Sequence, residues 1–132
     1  MMKEPKYFLA VFGKPELPDK DTVDSGRYYL GQRGTDTPGE RGDLMLLYCT
    51  ATDEEYFMSA PGIGIILTKT REFIFYRYLP FSLPITKDHI EKTFTDDDAN
   101  KLKSIRSNTY WLFDISNESF RKATSGVLIN WP

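Results

Sequence analysis

A chain of 132 residues with 40% hydrophobic and 27% charged residues has the size and composition of one soluble domain. Its single His and single Cys exclude a zinc site built from those residue types and a disulfide within the chain. The formal charge of −2 excludes binding to a long polyanion by net attraction alone, although it allows a local basic patch.

The first third of the chain predicts two buried strands separated by a long loop. Residues 6–12 are rich in aromatic and β-branched side chains and are closed by Gly and Pro, which favours a strand. Residues 16–25 allow at most a short helix, and residues 28–42, with four glycines, predict a long loop of the kind that often carries function. Residues 44–50 are continuously apolar and predict a strand, in which Cys49 is expected to be a buried, inert thiol.

The middle of the chain predicts two further strands that glycine and proline interrupt. Residues 56–58 are expected to open a strand that stops at Pro61 and resumes over residues 63–68, where Gly64 indicates a bulge or a close backbone approach. Residues 72–79 are dense in strand-forming side chains. The two prolines that follow have no N–H to donate, so they exclude a central position in the sheet.

Two short helices are predicted next, over residues 87–94 behind Thr86 and over residues 96–106 behind Thr95. The second begins with three Asp, which suit the positive end of the helix dipole. Consecutive helical residues point about 100° apart, so these carboxylates are not expected to share a metal ion.

The end of the chain predicts one strand and one helix. Residues 110–115 form the predicted strand, and Ser116 is the expected N-cap of a helix over residues 117–124. Phe120 is expected to face inward, and Gly126 to stop the helix.

Five or six strands with three or four short helices predict a single α+β domain over residues 1–132, with a small, highly curved, mixed sheet closing toward a barrel. No apolar stretch approaches the length that spans a bilayer, and the first residues lack the layout of a signal peptide. A cytoplasmic location is therefore expected, without a membrane partner.

Aromatic side chains alternate with basic ones in three places: Arg27–Tyr29, Phe75–Tyr78 and Arg106–Trp111. Flat rings stack on exposed bases while Arg holds flanking phosphates, which is how unpaired or flipped nucleotides are bound. Most of the aromatic side chains, among them Phe8, Phe75 and Phe113, are nevertheless expected to fill the core. His89 is expected to be an exposed residue without a special role.

The order of segments resembles the EVE domain, a member of the PUA-like superfamily related to YTH and ASCH domains. The segments that carry the resemblance are Tyr7–Val11, the loop around Arg27 to Arg33, Arg41–Tyr48, Ile63–Leu67, Phe75–Pro84 and Trp111–Phe120. The stretch after the first strand and the Gly-rich residues 28–42 depart from the family's pattern.

The resemblance implies a small PUA-like barrel that binds a methylated or hydroxymethylated nucleobase in an aromatic pocket, without catalysis, cofactor or metal. Its partners would be modified DNA or RNA, together with a downstream nuclease or modification enzyme. Carried over by position, the nucleobase-binding residues are Tyr28, Tyr29, Ser107, Asn108 and Trp111, and Arg33 and Arg106 are the expected phosphate or base-edge contacts.

Two other functions stay open at this point. One is a small hydrolase of a modified nucleoside, similar to the ASCH group, whose glycine-lysine-glutamate-arginine motif residues 39–43 resemble loosely. The other is a structural or interaction domain whose aromatic side chains are all buried. The sequence leaves open the base, its modification, the choice between DNA and RNA, and the oligomeric state.

Overall fold

The computed structural model of the chain describes residues 4–13, 23–29, 39–52, 56–105 and 111–127. The described strands are β1 (Tyr7–Phe12), β2 (Arg27–Tyr29), β3 (Leu44–Cys49), β4 (Ser59–Lys69), β5 (Phe73–Thr86) and β6 (Trp111–Ile115). The described helices are α1 (Lys87–Thr93), α2 (Asp96–Lys103) and α3 (Asn117–Thr124). The predicted helix over residues 16–25 falls largely outside the described residues.

The six strands form one mixed sheet in the order β2-β5-β4-β3-β1-β6. β1 and β3 are parallel, and the other described neighbours are antiparallel. The sheet curls into a half-barrel. Its curvature brings Tyr28 of the edge strand β2 close to β1, where the Tyr28 hydroxyl donates to the carbonyl of Val11 at 3.0 Å. This architecture confirms the predicted small α+β fold with a highly curved sheet.

Alternation along the strands divides the apolar side chains between two cores. The concave core receives residues from all six strands, among them Phe8, Phe12, Tyr28, Met45, Ile66, Tyr76 and Leu112. The convex core lies between the sheet and the helices, and it includes Leu9, Leu46, Ile63, Leu79, Ile90, Leu102 and Phe120. Cys49 is buried in the concave core, as predicted.

Part of one predicted loop and the boundaries of two predicted strands are wrong. Residues 27–29 were expected to belong to a loop, but they form β2, which pairs with Phe73–Phe75. The interruption expected at Pro61 is absent, because β4 begins at Ser59 and absorbs the proline and glycine at a register shift. β5 continues through Pro80 and Pro84. Among the described residues, this part of β5 pairs only with β4, so each proline has a paired strand on one side only and its missing N–H is tolerated.

Gly64 confirms the expected close approach. A Cβ built on it would lie 2.7 Å from Cδ2 of Tyr76, closer than real Cβ atoms come. The ring of Tyr76 therefore lies flat over the backbone of β4, and its hydroxyl donates to the carbonyl of Val23 at 2.7 Å.

The helix starts were predicted correctly, because each depends on a local hydroxyl cap. Thr86, Thr95 and Ser116 each accept a hydrogen bond from the backbone N–H three residues later. The second helix ends at Lys103, three residues before the predicted end.

Asp98 ties this helical layer to the sheet. Its Oδ2 accepts from the N–H of Ser116 at 2.9 Å and from the hydroxyl of Ser119 at 2.6 Å. Burial by itself raises the pKa of Asp98, but these hydrogen bonds outweigh it and hold the pKa below its ordinary value. The carboxylate thus links α2 to the end of β6 and the start of α3.

Candidate functional site

The two edge strands of the half-barrel, β2 and β6, both contact β1. Tyr28 on β2 contacts Val11 through its hydroxyl, and Val11 pairs directly with Trp111 at the start of β6. The ring of Tyr28 also meets Phe12 edge-on, with centroids 4.9 Å apart. We call the junction formed by Tyr28, Val11 and Phe12 the seam, and Trp111 lies beside it on β6.

Tyr28 lies inside the seam, so it does not offer its ring to a ligand in this structure. Only 2% of the residue is exposed, and its hydroxyl is used within the fold. Alternation along β2 turns Tyr28 to the concave core and Tyr29 to the convex side, and the pocket roles implied by the resemblance stay predictions.

Trp111 lies on the other side of the seam and is accessible. It is 49% exposed, and its ring stacks on Phe113 with centroids 5.6 Å apart and planes 27° apart. Phe113 itself is half-buried against the convex core. The indole therefore rests on a fixed aromatic support while much of its surface faces solvent.

A second aromatic group lies on the β2 side of the convex surface. Tyr29 and Phe73 are cross-strand partners with ring centroids 5.3 Å apart, and Phe73 lies 6.1 Å from Phe75. The Arg27 guanidinium carbon is 4.5 Å from the centroid of Phe73, a cation–π contact. Neither Tyr29, Phe73 nor Phe75 belongs to either core.

This second group was only partly found from the sequence. Tyr29 was singled out, but Phe75 was expected in the core, and Phe73 was not considered. The signal that could have found them is the alternation of residues 73–77, in which buried Ile74 and Tyr76 alternate with the half-buried Phe73 and Phe75 and the exposed Arg77.

Four of the predicted contact residues, Arg33, Arg106, Ser107 and Asn108, lie outside the described residues. In the sequence, the last three lie within five residues before Trp111, and Arg33 follows Tyr29 by four.

Asp43 and the two glycines of residues 39–43, the segment that loosely resembles the ASCH motif, have structural roles. Asp43 is buried and accepts from the backbone N–H of Lys6 at 3.0 Å and of Glu40 at 2.8 Å. Gly39 and Gly42 both have positive φ, which fixes the turn before β3. This segment holds the start of β3 against the start of β1.

Burial raises the pKa of two tyrosine hydroxyls, those of Tyr78 and Tyr48. Burial, with smaller effects of Tyr56 and Asp24, raises the pKa of Tyr78 to about 12. Burial, followed by Glu91 and Cys49, also raises the pKa of Tyr48. Both hydroxyls are therefore neutral at pH 7.

A separate, largely apolar groove of about 380 Å³ lies beside α1 and the end of α3. It is lined by Ser82, Leu83, Pro84, Ile85, Thr86, His89, Ser125, Gly126 and Val127. His89 is exposed at its rim, as expected. The strand residues of the groove belong to β5, which β4, β3 and β1 separate from β6 in the sheet order.

Comparison with known proteins supports the fold alone. The crystal structure of Atu2648 from Agrobacterium tumefaciens is 13% identical, with a TM-score of 0.50 over 89% of this chain and 90% of that chain. No family model and no curated protein matches the chain. Among the described residues, no helix is long and apolar enough to cross a membrane, and no group of three His, Cys, Asp or Glu side chains is arranged to hold a metal ion.

Proposed function

We propose that the protein is a non-catalytic, EVE-like module that binds a modified nucleobase in DNA or RNA, with Trp111 as the principal stacking surface. The observation that carries the proposal is the half-exposed indole held on Phe113 beside the seam. Tryptophan is highly buried on average, and this half-exposed indole offers a broad apolar ring face for stacking. Base stacking on such a ring contributes about 1–3 kcal/mol per base.

The chemistry of the neighbouring sequence fits the same ligand. Ser107 and Asn108 carry hydroxyl and amide groups that match the hydrogen-bonding edge of a base, and Arg33 and Arg106 carry charges that match phosphates. A methyl group on the base adds only about 0.8 kcal/mol when buried, so recognition of a modification requires a close fit. Tyr29 supplies a further ring on the β2 side, whereas Tyr28 stabilises the seam.

We also propose a cytoplasmic site of action and a downstream nuclease or modification enzyme as the protein that acts on the bound nucleic acid. A module that binds a base without catalysis needs such a partner to produce an effect. The proposal includes no cofactor, because shape, stacking and hydrogen bonds suffice for recognition.

Binding of labelled oligonucleotides, measured by fluorescence anisotropy, tests this function. Plain strands are compared with strands that contain 5-methylcytosine, 5-hydroxymethylcytosine or N6-methyladenine, each single- and double-stranded. We expect tighter binding to one modified strand, a loss of about tenfold or more in the Trp111→Ala variant and a smaller loss in Trp111→Phe.

The matched control is Leu83→Ala, since Leu83 is 78% exposed and lines the separate groove beside α1 and the end of α3. We expect it to bind like the wild type. Equal affinity of the wild type for plain and modified strands would contradict the proposal that the protein recognises a modified base. Equal losses of affinity in the Leu83 and Trp111 variants would contradict the role of the indole.

A further inference from the structure

The convex surface of β2 and β5 carries a continuous strip of aromatic and cationic side chains, which we call the β2–β5 face. Its members are Arg27, Tyr29, Phe73, Phe75 and Arg77. Phe73, Phe75 and Arg77 follow one another at every second position of β5, so they project from the same side of the sheet. Tyr29 and Arg27 are the cross-strand partners of Phe73 and Phe75.

The rings of this face contact each other and are only partly buried by the rest of the protein. Tyr29 and Phe73 are inclined by 49°, and Phe73 and Phe75 by 45°, so no ring covers its neighbour face to face. All three are only partly buried, and none belongs to either core. A row of aromatic rings on an open sheet surface is the arrangement on which successive bases stack.

The charge of the region complements a polyanion. Arg27 and Arg77 belong to the face, and Lys69 and Arg71 lie at the turn between β4 and β5, where Glu72 is the acidic residue. Asp24 lies just before β2, near the hydroxyl of Tyr78 on the concave side of β5. This local excess of cations stands out in a chain whose net charge is −2.

We infer that the β2–β5 face binds unpaired nucleotides of a single-stranded nucleic acid that flank the base held at Trp111. The inference rests on the proposed function for its ligand class but concerns different residues and a different property. Stacking on three rings does not depend on base modification, because every base has a π-face. The face would thus supply affinity for single strands, whereas Trp111 would supply preference for the modified base.

Binding of unmodified oligothymidylate and oligouridylate to the full chain tests this inference, by fluorescence anisotropy at low and at physiological salt. We expect the Phe73→Ala variant to bind about tenfold more weakly. The exposed Arg77→Gln variant is expected to bind severalfold more weakly and to reduce the slope of log affinity against log salt by about 0.7. Comparison of the two strands shows whether the face prefers DNA or RNA.

The control is Arg121→Gln, which removes the same charge from an exposed position on α3. It is expected to lower affinity less than Arg77→Gln does. Because Arg77 is exposed, its substitution keeps the test valid even if Phe73→Ala fails to fold.

The outcomes separate the two proposals. If both face variants bind as the wild type does while modified strands are still preferred, the inference is wrong and the proposed function stands. If the face variants lose affinity but the wild type prefers no modified strand, the inference stands and the proposed recognition of a modified base is wrong. A wild type that binds no strand would contradict both.

Discussion

The convex side of the sheet has two regions that receive similar side chains from the same strand but use them differently. At residues 79–85, β5 lies under the helices and buries Leu79, Phe81 and Ile85 in the convex core. At residues 73–77, the same strand presents Phe73 and Phe75 outside both cores. Coverage by the helices, rather than the hydrophobicity of the strand, therefore determines whether an aromatic side chain of β5 is buried in a core or stays partly exposed.

The largest expected effect lies in the covered region. Leu46 is fully buried between β3 and the helices, so Leu46→Ala is expected to lower the free energy of unfolding by about 2–5 kcal/mol through lost burial and a new cavity. The matched substitution in the bare region, Phe75→Ala, is expected to cost only about 1 kcal/mol, because it removes a partly exposed ring and its cross-strand contacts. Urea unfolding followed by circular dichroism measures both, and equal losses would refute the distinction between the two regions.

A smaller effect is expected from the polar tie beneath the helices. Asp98→Asn keeps the shape of the side chain but removes a buried charge that accepts from Ser116 and Ser119, at an expected cost of about 1–3 kcal/mol at pH 7. Since the folded-state pKa of Asp98 is depressed, this contribution is fully present above the unfolded pKa of about 3.8 and is lost as the pH falls through the folded pKa.

Urea unfolding at neutral and at acidic pH therefore measures how much the Asp98 carboxylate contributes to the free energy of unfolding. The difference in stability between the wild type and Asp98→Asn should narrow below the unfolded pKa. The control is Asp97→Asn, which removes an exposed carboxylate from the same helix start and should show a much smaller difference at neutral pH. Matching pH profiles for the two variants would show that the hydrogen bonds of Asp98 contribute nothing particular to folding.

Elements set by local chemistry were predictable from the sequence. The hydroxyl caps Thr86, Thr95 and Ser116 define their helix starts without help from distant residues. The apolar runs of β1 and β3 likewise predicted strands, because both faces of these strands are buried.

Features that depend on distant pairing were not predictable. β2 has only three residues and exists because β5 offers a ladder to it, so residues 27–29 carried no strand signal of their own. Whether Tyr28 or Tyr29 faces inward depends on the phase of that pairing, which a single sequence does not define. The continuity of β5 through Pro80 depended on having β4 as its neighbour.

The most direct test of the central claim is an NMR titration of the isotope-labelled protein with a single strand that carries the preferred modified base. We expect the indole signals of Trp111 to shift, and the ring signals of Tyr29, Phe73 and Phe75 to shift at the same protein-to-strand ratios. The signals of Ile63 and Leu79, beneath the helices, are expected to stay nearly unchanged. Shifts confined to the groove around Leu83 and His89, or no shift at Trp111 at saturation, would contradict the account.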